Sequence, residues 1–156
     1  MRERLLIAAM ALALMGLLWP TAALAQAEWE YTPYAVTVWI AAEPAPQLPP
    51  AAVDSIAAHL VRRGEAVMGS VWTLEATAAP QLIADRLDEA GQVPVDFLAA
   101  EKPEILKQDK LIVVRISPAA PGWRIAAREL DCRTRQWSTL IERQAGTLAE
   151  LPLRTW

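Results

Sequence analysis

Cysteine and histidine each occur once in this chain, as Cys132 and His59. They are the residue types of a thiolate nucleophile and its general base, a pair that works only within hydrogen-bonding reach. Cys132 stands in ELDCRTRQWSTL, residues 129 to 140, a hairpin-like pattern whose turn is rich in arginine. Arg133 and Arg135 would lower the pKa of an exposed thiol at that position. His59 belongs to a helical pattern remote in the chain, and no motif supplies the Asn or Asp that orients a catalytic base. One cysteine cannot close an internal disulfide, and one cysteine with one histidine cannot furnish a Cys/His zinc cluster. A calcium loop draws on Asp and Asn at alternate positions, and this sequence has no Asn. No metal or cofactor is expected, and the six glycines form no phosphate-binding loop.

Paired carboxylates are the second chemistry to weigh. Asp85, Asp88 and Glu89 share the polar side of a helical pattern, while Glu129 and Asp131 flank the hairpin. Glycoside hydrolysis needs two acids converging in a cleft. These spacings read instead as solubilising faces. Tryptophan is the third. Trp39 and Trp72 lie in apolar strand patterns and are expected in the core, whereas Trp123 and Trp137 begin neighbouring strands at opposite ends of a hairpin. An exposed pair would suggest sugar or protein stacking. The densest basic group, Arg124, Arg128, Arg133 and Arg135, is interleaved with Glu129 and Asp131 and reads as a solvated face. No catalytic, cofactor-binding or metal-binding residue is therefore assigned from the sequence.

The elements that would position these residues follow from periodicity. YAVTVWIAA, 34 to 42, is a strand. EPAPQLPP is an extended connector leading to a helix over 51–63, where Val53, Ile56, Ala57 and Leu60 form one stripe and His59 lies off it. Gly64 closes that helix, or residues 65–68 prolong it to a stop at Gly69. VWTLEAT, 71 to 77, is a second strand, so a crossover helix makes the first two strands parallel. A second helix is expected over 80–90 with Ile83, Leu87 and Ala90 on one face, then fragmented helix over 93–108. KLIVVRIS, 110 to 117, has the continuous apolar run of a central strand. Strands over 123–131 and 137–144 complete an antiparallel meander. Asp131, Thr134 and Trp137 match the hairpin spacing of kelch-type propeller blades, but a single copy expresses only a turn preference. The expected fold is α/β (α+β): a mixed four- to five-stranded sheet in the order β-α-β-α-β-β-β, with two main helices on one face.

Residues 1–25 read as a signal peptide. Arg2 and Arg4 precede an apolar run from Leu5 to Trp19, Pro20 breaks it, and Ala23-Leu24-Ala25 suits signal peptidase, placing cleavage after Ala25. The run falls short of the ~20 residues of a membrane-spanning helix. Residues 26–33 are expected as a flexible N-terminus, 34–146 as a single α/β domain, and 147–156 as a C-terminal turn or the start of a continuation. Thr147 and Glu150 there have capping-box spacing. Without the signal's Arg2, Glu3 and Arg4, the formal net charge of −3 becomes −4, which argues against nucleic acid or an anionic membrane as partner.

This element order behind a signal peptide resembles the small N-terminal α/β domain of TolB-like periplasmic proteins. That resemblance implies a fold and transfers no functional residue. AARELDCRTRQW, 126 to 137, with WIAAEPAP, 39 to 46, is also similar to exported bacterial proteins of unknown function, which implies no activity. The expected role is an exported, non-catalytic interaction or accessory module of the cell envelope, partnered by an envelope protein and with no stable membrane insertion after cleavage. The alternatives are a small periplasmic hydrolase using Cys132 or the clustered acids, and a carbohydrate-binding module. An apolar patch on an uncovered sheet face would favour the interaction module.

Overall fold

A computed structural model describes residues 33–43 and 48–154. The expected signal peptide, its cleavage site, residues 26–32, Trp156 and residues 44–47 of the proline-rich connector lie outside the described residues. Among the described residues the chain forms one six-stranded mixed sheet. β1 (Tyr34–Ala42) lies between β2 (Trp72–Ala78) and β3 (Lys110–Pro118), and is parallel to both. β4 (Trp123–Asp131) pairs antiparallel with β3, and two short strands, β5 (Gln136–Trp137) and β6 (Ile141–Ala145), pair with β4. The sheet order is β2-β1-β3-β4-β5, with β6 also on β4.

The mixed α/β class is the one read from the sequence, and the crossover helix does join a parallel pair. Six strands replace the expected four to five, because the last predicted strand is interrupted over 138–140. There the Ser138 amide donates to the Glu129 carbonyl, and the Ser138 hydroxyl accepts from the Glu129 amide. The larger correction concerns the helices, which lie on opposite faces. α1 (Pro50–Met68) sets Ile56, Ala57 and Leu60 against Val36, Val38 and Ile40 of β1 and Val114 and Ile116 of β3. On the other face, Trp39, Leu111, Val113 and Leu130 meet Ile83 of α2 (Gln81–Ala84), Leu98 of α3 (Val95–Glu101), Val93 and Ile105. Alternate residues of β1 point to opposite faces, and both sets are apolar but for the buried Thr37, so each face had to be covered.

Two local features set the helix lengths. Gly64 does not end α1: a Cβ there would meet Leu74 Cδ1 at 3.1 Å, so the missing side chain lets the helix lie close on β2. α1 ends at Gly69, whose φ of 58° is left-handed. The helix expected over 80–90 shrinks to four residues because Asp88 competes for its backbone. Asp88 Oδ1 accepts from the amides of Ala90 and Gln92 at 2.9 and 2.8 Å, while the Asp88 amide donates to the Gln92 carbonyl. At the other end of the chain, Glu150 Oε2 accepts from the Gly146 amide, and the short α4 (Leu151–Arg154) buries Leu151 in the α1-side core.

The turn between β3 and β4 rests on Gly122, with φ of 92°. A Cβ there would collide with the Ala145 carbonyl oxygen and stand 2.9 Å from Gly146 Cα. Gly122→Ala is expected to destabilise the fold by about 3 kcal/mol, since left-handed strain and overpacking act together. Chemical denaturation would show a lower midpoint with an unchanged slope.

Candidate functional site

The hairpin carrying Cys132 is a structural tie. Asp131 Oδ1 accepts from the amides of Arg133 and Thr134 at 3.0 and 2.9 Å, and Arg135 closes the turn with φ of 58°. These bonds, the Thr134 amide foremost and Lys110 second, hold the Asp131 carboxyl down to about 2. Lys110 Nζ bonds Glu129 Oε1 and, at 3.1 Å, Asp131 Oδ2. The Glu129 bond chiefly raises the Lys110 pKa, against the opposing effect of burial. The two acids flanking the hairpin therefore converge, but upon a lysine rather than on a cleft.

Asp109 completes the tie. Its Oδ2 accepts from the Ala35 amide at 2.8 Å, its Oδ1 from Arg133 at 2.6 Å, and its carbonyl from the Cys132 amide at 3.1 Å. The start of β1, the start of β3 and the hairpin thus meet at one side chain. Sequence reasoning missed Asp109, since partners 74 and 24 residues away leave no local pattern.

Cys132 itself is 4% exposed and packs in the cluster with Trp39 and Leu130. Burial, with the Asp131 carboxylate adding, pushes its thiol pKa up rather than down. His59 is half-buried on α1, across the sheet from Cys132. The two residue types of the thiol reaction are on opposite faces. The acids of the second helical pattern are exposed: Asp85 accepts from Gln81 at 2.6 Å, and Asp88 holds its own turn. Trp123, 5% exposed, lies in the α1-side core, while Trp137 lies on the other face with its indole N–H donated to the Val93 carbonyl at 3.3 Å. They share no stacking platform. Trp72 departs from expectation in the other direction. It is 37% exposed, because β2 is the sheet's edge, and its ring packs on Tyr34 at 5.1 Å between centroids.

Two surface features remain. In a parallel sheet, chain exits to opposite faces open a crevice at the carboxyl ends of the strands. Here β1 exits toward α1 and β2 toward α2, and a crevice of about 380 Å³ lies between them, lined by Ala41, Ala42, Val53, Ala78 and Ala84. Glu43 at its rim is paired with Arg115 at 2.5 Å, and Arg115 also donates to the Asp88 carbonyl. The second feature is an apolar corner where α1 runs into β2. Val67 and Val71 are 60% and 67% exposed there, beside Trp72. Among the described residues, no helix is long and apolar enough to cross a membrane.

No protein-family model and no curated protein matches this chain. Among solved structures it is similar to TolB from Acinetobacter baumannii, at 13% identity and a TM-score of 0.37, over 78% of this chain and 26% of that one. A hypothetical protein from Chlamydia trachomatis is similar at 12% identity and a TM-score of 0.41, over 71% of this chain and 72% of the other. A lipoprotein from Neisseria meningitidis is similar at 12% identity and a TM-score of 0.34, over 74% and 83%. The chain spans about a quarter of the TolB structure it matches. No residue role passes across any of these likenesses.

Two outcomes follow for the hairpin. With the Cys132 side chain buried among apolar groups, Cys132→Ser is expected to cost about 1–2 kcal/mol. In the folded chain the thiol should resist iodoacetamide at pH 8, reacting only after denaturation. Asp131 has a depressed folded pKa, so its contribution is full above its ordinary value of 3.8 and is lost as pH falls through about 2. Protection of the Thr134 amide, relative to its intrinsic exchange rate at each pH, should fall over that window, and Asp131→Asn should remove that fall.

Proposed function

We propose that this chain is an exported, non-catalytic interaction module of the cell envelope. One observation carries the reading: the two most exposed large apolar side chains among the described residues, Val71 and Val67, stand at the junction of α1 and β2 next to the half-exposed Trp72, at the open edge of the sheet, whereas Leu82 and Ile141 are exposed singly elsewhere. Contiguous exposed apolar surface on a folded domain marks contact sites. The reactive side chains are meanwhile committed to structure. Cys132 is packed, Asp131 and Glu129 hold Lys110, and Asp109 ties β1 to the hairpin.

The test is affinity capture of the full chain from an envelope extract, with quantitative identification of what co-purifies. One specific partner is expected in near-stoichiometric yield, weakened about tenfold by Val71→Lys, the loss of a central apolar contact. Circular dichroism of the variant should be unchanged, because Val71 lies on the surface. Turnover on a panel of ester, amide and glycoside substrates with no partner captured would overturn the reading.

A further inference from the structure

We infer that β2 is a docking edge for an extended segment of another protein, one that alternates apolar and basic residues and adds to the sheet as a further strand; this deepens the interaction-module reading and rests on it. β2 is the terminal strand of the sheet, bonded to β1 through seven consecutive registers on its inner side. Its outer row of amides and carbonyls meets no strand among the described residues. Such a row is a template for strand addition unless it is guarded by charge, proline, bulges or shortness.

The two edges of this sheet differ in that respect. On the far side, β5 has two residues, β6 has five, residues 138–140 interrupt them, and β6 carries Glu142 and Arg143 with Glu142 paired to Arg124. That edge is short, broken and charged. β2, WTLEATA, is seven residues of regular strand with no glycine and no proline, and Glu75 is its one charge. α1 packs firmly behind it through the contact of Gly64 with Leu74, so the edge is a rigid template. At the start of this edge stand exposed apolar residues, Val71 just before β2 and Trp72 as its first residue.

Charge decides the occupant. Two copies of β2 pairing antiparallel over the whole strand, Trp72 to Ala78, centre on Glu75 and set that carboxylate against its own copy. Like charges directly opposite destabilise a sheet. Shifting by one residue turns the partner's apolar set to the wrong face, and shifting by two shortens the ladder. A different chain with lysine or arginine opposite Glu75, and apolar side chains on the face of Trp72, Leu74 and Ala76, meets every requirement.

The experiment uses the full chain and two fluorescent peptides of about eight residues, the length of a strand, one alternating valine with lysine and its twin alternating valine with glutamate. The lysine peptide is expected to bind about threefold or more tightly than its twin, the size of one cross-strand charge pair and its reversal. Binding should protect β2 amides from hydrogen exchange, and Glu75→Lys should invert the preference. Failure of both peptides to bind, a preference that Glu75→Lys leaves unchanged, or protection falling elsewhere would overturn the docking edge. So would a wild-type dimer in sedimentation whose β2 amides are already protected. If the edge fails in this way while an envelope partner still co-purifies with Glu75→Lys, the module reading stands without it; if no partner is captured at all, that reading falls separately.

Discussion

Burial of β1 and β3 on both faces is the constraint from which the rest of the molecule follows. Val36 to Ala41 are buried without interruption, and β3 buries Leu111 and Val113 on one side and Val114 and Ile116 on the other. A pleated strand sends alternate side chains to opposite sides, so such a run cannot be satisfied by one helical layer. α1 answers one face, with Leu151 of α4 beside it; Ile83, Val93, Leu98 and Ile105 answer the other. Parallel pairing of β1 with β2 and β3 then requires long crossovers, and these crossovers are the two layers.

Much of this was legible from local pattern. The first four strand positions, the α1 stripe, the parallel pair and the central place of β3 all follow from periodicity and chain order, and the structure agrees. The turn at Asp131 was legible too, because an aspartate capturing the amides two and three residues onward is a local event. What escaped depends on distance. The opposite-face placement of the helices was implicit in the two-sided apolar run of β1, but no property of residues 80–108 alone reveals it. The shortening of α2 came from the side chain of Asp88 outcompeting helical bonding, which propensity underrates. Trp72 looks like a core residue in sequence and is exposed only because of where β2 falls in the sheet.

The same topology explains why the chemistry legible in sequence does not assemble. A sheet two residues thick in side chains stands between α1 and the hairpin, so His59 and Cys132 belong to different layers. The ionic residues near the hairpin are engaged in holding strand ends that parallel topology leaves without a short connecting turn. β1 and β3 are neighbours separated by some 70 residues of chain, and the Asp109–Ala35 and Asp109–Arg133 bonds fasten their adjoining starts. Removing such a bond would loosen an end of the sheet without touching any reacting group.

The contrast between the two edges bears on how a small open sheet stays monodisperse. An interrupted, charged edge such as β5–β6 discourages pairing by any strand, at a small cost in ladder hydrogen bonds. An edge such as β2 discourages only some strands. A lone carboxylate at its centre penalises self-pairing in full register and leaves other sequences free to add, so it acts as a filter rather than a barrier. Adding a second charge at Thr73 or Thr77 would close the edge, and neither side chain is packed against the core. Fold stability therefore places no requirement on β2 to remain open; its openness is a property of the surface, separable from the core that holds it in place.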